Sequence, residues 1–327
     1  MPESSTNKMK MSGGKRKQQR IGEPVRKGPD LSRILLRASR AAAAELRKYY
    51  RSVAGGNGKL QGLISKQKVK DDPRTLVTEA DRRSERVIVR LLSSDLKCDF
   101  LTEESGFISS GSNDSHFRVI VDPLDGSMNF AHETLGLFGV AVAVEAQGRL
   151  VAGALTLPQF DQIMVGERGF GAVSTRVTSR TPKFRRIPTC VGRAKTLAQA
   201  RICLGRGSAS PEILSQAPMI DVISHANEIV NFASCTVGLW SVIRGSIDGL
   251  MLARQQYWDF AAGIPIVLEV GGSIGLWEAG WRRRVPLSDL SAADATSCFD
   301  LVVTGNRKLF AELEDRIRGN RKASYLS

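Results

Sequence analysis

Four short stretches carry the residues that could do chemistry: LVTEAD (Leu76–Asp81), TEES (Thr102–Ser105), DPLDGSMNF (Asp122–Phe130) and YWDFAAG (Tyr257–Gly263). Asp122 and Asp125 follow the apolar run Val119–Val121 directly. Like charges so close repel and raise each other's pKa unless something positive lies between them. Alone, Asp-Pro-x-Asp-Gly reads as a turn. It has company, however: Glu103 and Glu104 are adjacent, and Asp81 and Asp259 each stand where a helix is expected to begin. All these carboxylates fall at element ends, where a rigid scaffold places functional side chains. Carboxylates are the preferred ligands of Mg²⁺, a hard ion that also takes substrate phosphate oxygens. A metal-binding cluster would cancel the repulsion. Gly126 and Ser127, where a turn or helix starts, offer backbone N–H groups to an anion.

The elements that must position these groups are legible from periodicity. Residues 31–51 place apolar side chains at helical spacing, and GGNG at 55–58 breaks the pattern. TLVTEADRRSERVIVRLLSS starts extended and turns helical, CDFLT is a short strand, and the polar segment 108–115 is a loop. FRVIV (117–121) reads as a buried strand leading into a DPLDGS turn. Two hairpins follow, one turning near Gln147-Gly148 and one in MVGERGFGAVS, and then an irregular basic region over 175–200. The second half reads as a strand at RICLG, a helix at SPEILSQA, a long apolar helix at FASCTVGLWSVIRG and a strand at SIDGLMLA. WDFAAGIPIVLEVGG is a helix that Pro265 should distort. SIGLW and DLVVTGN are strands, and LFAELEDRIRGN is a final helix. Strands in runs with helices between them predict mixed α/β layers.

The chain has 327 residues, 42% hydrophobic and 24% charged, enough for one large domain with a substantial core. We divide it into a disordered basic tail over 1–29 and a single domain over 30–320. That domain has a metal-binding half (about 30–185) and a C-terminal α/β half (about 186–320). The tail holds eight Lys/Arg against two acidic residues, so +6 of the net +14 lies there. It offers a weak contact to nucleic acid. No apolar run is long enough for a membrane helix. Five cysteines without a CxxC predict reduced thiols and a cytoplasmic location, and three scattered histidines argue against a His-based zinc site. No cysteine is followed by arginine at C-x5-R spacing, no DxD occurs, and no GxxxxGK[ST] loop is present, which excludes three other phosphate-handling classes.

In this order, the four stretches resemble the signatures of the inositol monophosphatase family, within the lithium-sensitive, magnesium-dependent phosphatase superfamily, over about residues 31–318. The resemblance implies a layered αβαβα sandwich, a homodimer, and hydrolysis of a small phosphorylated polyol or metabolite. It further implies two or three Mg²⁺ held by Glu103, Asp122, Asp125, Asp259 and the Leu124 carbonyl, with Glu104 close behind. Ser127, where the family usually has Thr, would with Asp81 orient and deprotonate the attacking water. Gly126, Ser127 and Asp125 would contact substrate. Other positions depart from the pattern. Thr102 stands where the family has Gly, and Leu252 stands where inositol-specific members carry a sugar-binding glutamate. Ala233, Ser234 and Cys235 alter another polyol-contacting stretch. Arg254, close to Leu252, could meet a second anionic group. A sugar bisphosphatase, a histidinol-phosphatase or a 3′,5′-bisphosphate nucleotidase are therefore the alternatives. A nucleic-acid-binding or regulatory protein on the same fold is the non-enzymatic one.

Overall fold

The computed structural model describes residues 29–54, 64–67, 76–111, 116–132, 135–179, 181–188, 192–207 and 216–324. The basic tail up to Lys27, the GGNG breaker, most of SPEILSQA and part of the 108–115 loop lie outside the described residues. Helix α1 (Leu31–Ala54) is followed by the short strands β1 (Ile64–Gln67) and β2 (Leu76–Thr78), then by α2 (Glu79–Asp95). Next come β3 (Cys98–Thr102), β4 (Gly106–Ile108), β5 (Phe117–Asp125) and the single-turn helix α3 (Ser127–Ala131). The meander β6 (Gly139–Ala146), β7 (Arg149–Leu157), β8 (Gln162–Glu167), β9 (Gly171–Arg176) and β10 (Arg185–Arg186) completes an eight-stranded sheet of order β10-β9-β8-β7-β6-β5-β3-β4.

The second sheet is built from β11 (Arg201–Arg206), β12 (Glu228–Val230), β13 (Gly249–Gln256), β14 (Ser273–Glu278), β15 (Arg284–Val285) and β16 (Cys298–Thr304), in the order β12-β11-β13-β16-β14-β15. Between its strands run α4 (Ala217–His225), α5 (Cys235–Ile243), α6 (Tyr257–Phe260) and α7 (Gly263–Glu269), and α8 (Arg307–Ser324) follows.

Strand alternation sorts the core into three slabs. Val119, Val121, Val140, Val142 and Val144 point one way, against Leu35, Leu46, Ile88 and Leu92 of α1 and α2. Ile120, Ala141, Ala143, Leu155 and Met164 point the other way, against α5–α7 and the inward residues Leu250, Leu252, Leu301 and Val303 of the second sheet. That sheet's outer residues Ile202, Leu204, Met251 and Val302 pack on Met219 and Val222 of α4 and Leu309, Leu313 and Ile317 of α8. The result is the expected αβαβα sandwich.

Two elements differ from expectation. DPLD is not a turn: β5 continues to Asp125, with Asp122 opposite Ala141 and Asp125 opposite Gly139, so one extra residue bulges out of β5. Pro123, which has no N–H to give the ladder, fits such a bulge. The helix expected over 258–272 is two helices, α6 and α7. Pro265 cannot donate to Ala261 O, and Ile264 N takes that acceptor instead at 3.3 Å.

Candidate metal and phosphate site

Asp122 is 2% exposed and sits on the bulge, where its Oδ1 accepts the N–H of Leu124 at 3.1 Å. The carboxylate thus satisfies an amide that the bulge removes from the ladder. Burial, and then the charges of Glu103, Asp125 and Asp259, push its pKa well above the usual carboxylate range. Glu103 reaches this place because β3 runs parallel to β5, and its N–H continues the ladder to Val121 O at 3.1 Å.

Asp81, Glu103 and Glu104 converge: one oxygen of each lies within 4.8 Å of the others. Asp81 is fully buried in the first turn of α2. Its Oδ1 lies 3.1 Å from the Ser127 hydroxyl, which is also 2.9 Å from Leu124 O. Glu85, one turn further along α2, accepts the backbone N–H groups of Glu104 (3.1 Å) and Ser105 (3.3 Å), and the Ser105 hydroxyl as well. Thr102 uses its hydroxyl to take the same Ser105 N–H at 3.1 Å. The TEES turn is therefore clamped from beneath, and its two glutamates are held toward Asp81.

Asp125 is directed at the start of α5. Its carboxylate accepts the N–H groups of Cys235 (3.2 Å) and Thr236 (2.6 Å) and the hydroxyl of Ser234, the N-cap of that helix. Burial raises the Asp125 pKa, and these donors offset only part of the rise. Asp259 stands in a capping box at the start of α6, where its Oδ2 accepts Gln256 N at 2.8 Å. Gly126 joins β5 to α3 with φ 84°, and a Cβ there would meet Leu137 O at 3.0 Å and Ser234 Cβ at 3.2 Å. Asn129 pins the surroundings, donating to Leu137 O (2.7 Å) and Phe232 O (2.8 Å).

The carboxylates singled out in the sequence thus meet at the ends of β3, β5, α2 and α6. The Leu124 carbonyl and the Gly126-Ser127 corner are beside them. Helix α3 has only five residues, so any anion there would rely on individual amides more than on a macrodipole. Leu252 is 5% exposed and belongs to the core, so it cannot contact a polar ligand. Glu85, Asn129 and Thr236 are positioning residues the sequence reading did not single out, and Ser234, noted there only as a departure from the family pattern, is a fourth. Two carried a signal: Glu85 lies four residues after Asp81 on the same helical face, and Ser234 immediately precedes an apolar helix.

A cluster of hard oxygen donors, buried at Asp81 and Asp122 and half-buried at the rest, with Asp122 pushed up by burial and by its neighbours' charges, fits a divalent cation. Comparison with known proteins agrees in fold and sequence. An inositol-1-monophosphatase of Mesorhizobium japonicum is 32% identical over 70% of this chain and 82% of its own length. A protein of Haemophilus influenzae named Nus factor SuhB is 29% identical over 76% of this chain and 85% of its own. The crystal structure of extragenic suppressor protein suhB from Bartonella henselae superposes with a TM-score of 0.70, at 29% identity, over 88% of this chain and 98% of that one. A sequence model for the inositol monophosphatase family matches residues 30–307, and the chain belongs to that family.

Proposed function

We propose that the protein is a Mg²⁺-dependent phosphomonoesterase acting on a small phosphorylated polyol or metabolite. The observation that carries this reading is the burial of Asp122 among Glu103, Asp125 and Asp259, next to the Asp81–Ser127 pair. Glu103, Asp122, Asp125, Asp259 and the Leu124 carbonyl would hold two or three Mg²⁺, which supply charge that draws in the phosphate and eases deprotonation of water. Asp81 and Ser127 orient the attacking water, and the Asp81 carboxylate takes its proton. Glu104, whose carboxylate converges with those of Asp81 and Glu103, would stand behind the ligands or reach a metal through water. Gly126 and Ser127 present their N–H groups to the phosphate oxygens. Water oxygen bonds to phosphorus as the ester P–O bond breaks, and the departing alkoxide takes a proton. Positioning and charge neutralisation carry most of such a reaction. By the same family resemblance, lithium inhibits it and the enzyme is a homodimer.

The test is phosphate release from inositol 1-phosphate, histidinol phosphate, fructose 1,6-bisphosphate and adenosine 3′,5′-bisphosphate, with Mg²⁺ or with chelator. Turnover should require Mg²⁺, and Asp122→Asn or Asp81→Asn should each lower kcat by about 100-fold or more. Absence of turnover together with absence of Mg²⁺ binding would overturn the reading.

The basic tail, and relatives named as a Nus factor, favour a second role in RNA contact. Salt-sensitive RNA affinity that disappears when residues 1–29 are deleted is the expected result. Affinity unchanged by the deletion argues against it.

A further inference from the structure

Ile120 of β5 faces the middle helices, and strand alternation turns Arg118 and Asp122 the same way. Arg118 stands directly opposite Glu145 of β6, and its Nη2 donates to Glu145 Oε2 at 2.7 Å. The Tyr257 hydroxyl donates to that same oxygen at 3.1 Å. Tyr257 is fully buried and opens α6, two positions before Asp259. The Arg118 guanidinium lies 5.6 Å from the centre of the Tyr257 ring. It also donates to Ala293 O at 2.9 Å and to Leu290 O at 3.2 Å, at the end of the short turn Leu287–Ala292. One carboxylate oxygen thus joins β5, β6 and α6, and one guanidinium ties in a loop of the C-terminal half.

The other supports of Asp259 leave its height above β5 open. Its capping box with Gln256 fixes it within its own helix. Strand β13, which delivers α6, pairs Leu252 with Leu301 and Gln255 with Phe299, so one extra residue bulges out just before the helix, and Arg254 lies in that bulge. Tyr257 meets Phe260 edge-on, and Phe260 meets Phe299 of β16 in the same way. Those ring contacts fill space, whereas two donors on one carboxylate oxygen fix a direction. The Glu145 and Arg118 side chains are only 8% and 20% exposed. Apolar residues of the same volume would avoid the desolvation of such a pair, so packing alone does not call for it.

We propose that Arg118, Glu145 and Tyr257 are positioning residues for Asp259: they lock α6 at a set height over β5, the strand that carries Asp122. Because Arg118 and Asp122 share one face of one strand, the lock measures Asp259 against Asp122 itself. This rests on the reading of both aspartates as metal ligands of a phosphatase.

The experiment titrates Mg²⁺ into the wild type, Tyr257→Phe, Glu145→Gln and the double variant by calorimetry, and separately measures phosphate release against Mg²⁺ concentration. Tyr257→Phe removes one oxygen and keeps the ring, so it should fold. Its Mg²⁺ dissociation constant should rise about threefold or more, the range expected for one lost hydrogen bond. Its kcat at saturating Mg²⁺ should stay near that of the wild type. The double variant should bind Mg²⁺ no more weakly than Glu145→Gln alone, because the two residues act through one contact. Leu313→Ala, in the outer slab beneath α8, should melt lower than the wild type yet bind Mg²⁺ as tightly. An unchanged dissociation constant in Tyr257→Phe overturns the proposal. So does an equal rise in Leu313→Ala, which would make the effect general destabilisation. Wild type that binds Mg²⁺ but releases no phosphate strikes the phosphatase reading, and the calorimetry still decides this one. Wild type that binds no Mg²⁺ strikes both.

Discussion

At the scale of the residue, Asp122 concentrates the cost of the site. It is buried, and Glu103, Asp125 and Asp259 all raise its pKa. A carboxyl whose folded pKa exceeds its unfolded value stabilises the fold below that unfolded value, and the contribution fades as pH rises through the folded titration. In chelator, the wild type should therefore lose stability relative to Asp122→Asn as pH rises above the usual carboxylate range. The amide cannot ionise, so the variant should melt a few degrees above the wild type at pH 8. Saturating Mg²⁺ should reverse the order: at 100 times its Kd a ligand adds about 2.7 kcal/mol, and only the wild type should show it in full. The Mg²⁺ increment should shrink toward pH 5, where protons compete for the same oxygens. Thermal melts of both proteins at two pH values, with and without Mg²⁺, check all three signs. A wild type that outlasts the variant in chelator at pH 8 would mean the repulsion is relieved by something other than metal.

At the scale of the element, what the sequence revealed depended on how local the cause was. The alternation of VIV and GVAVAVEA, the helical spacing of 31–51 and the hairpin at MVGERGFGAVS have causes within a few residues, and all appear in the structure. The four carboxylate stretches were legible because each stands at an element boundary. The bulges were not. DPLD looked like a turn because its residues are turn formers, and only pairing with β6 shows that β5 runs through it with one residue extra. Arg254 has φ 51°, and its N–H is held by a carboxylate 46 positions away, Asp300, which also accepts the N–H of Trp281. An aspartate inside the apolar strand DLVV was visible, but its two backbone partners were not. Asp125 gave no sign that it would reach across 110 positions to the first turn of α5. That contact ties the end of the first sheet to the middle helical layer.

At the scale of the whole molecule, the site is split between layers. Glu103, Asp122 and Asp125 belong to the eight-stranded sheet and its following turn, whereas Asp259 belongs to the helices sandwiched between the sheets. The spacing of those layers therefore sets the spacing of these carboxylates. Glycines fix it: Gly153 and Gly166 are cross-strand partners on β7 and β8, and α7 lies directly on them. A Cβ on Gly153 would sit 2.1 Å from Ala262 O, and one on Gly166 would sit 2.8 Å from Ile266 Cα. Both obstacles are backbone, so no rotamer change relieves them. Gly153→Ala must lift α7, and Ala262 is only three residues from Asp259. Overpacking of this kind costs about 1–3 kcal/mol, which thermal melting in chelator should show as a lowered midpoint. A purely structural glycine would stop there. If the layer spacing positions Asp259 against Asp122, the folded variant should also need several-fold more Mg²⁺ for half-maximal turnover, measured well below its new melting temperature. An unchanged Mg²⁺ requirement in a destabilised Gly153→Ala would show that Asp259 is held by its own capping box rather than by the stacking of the layers.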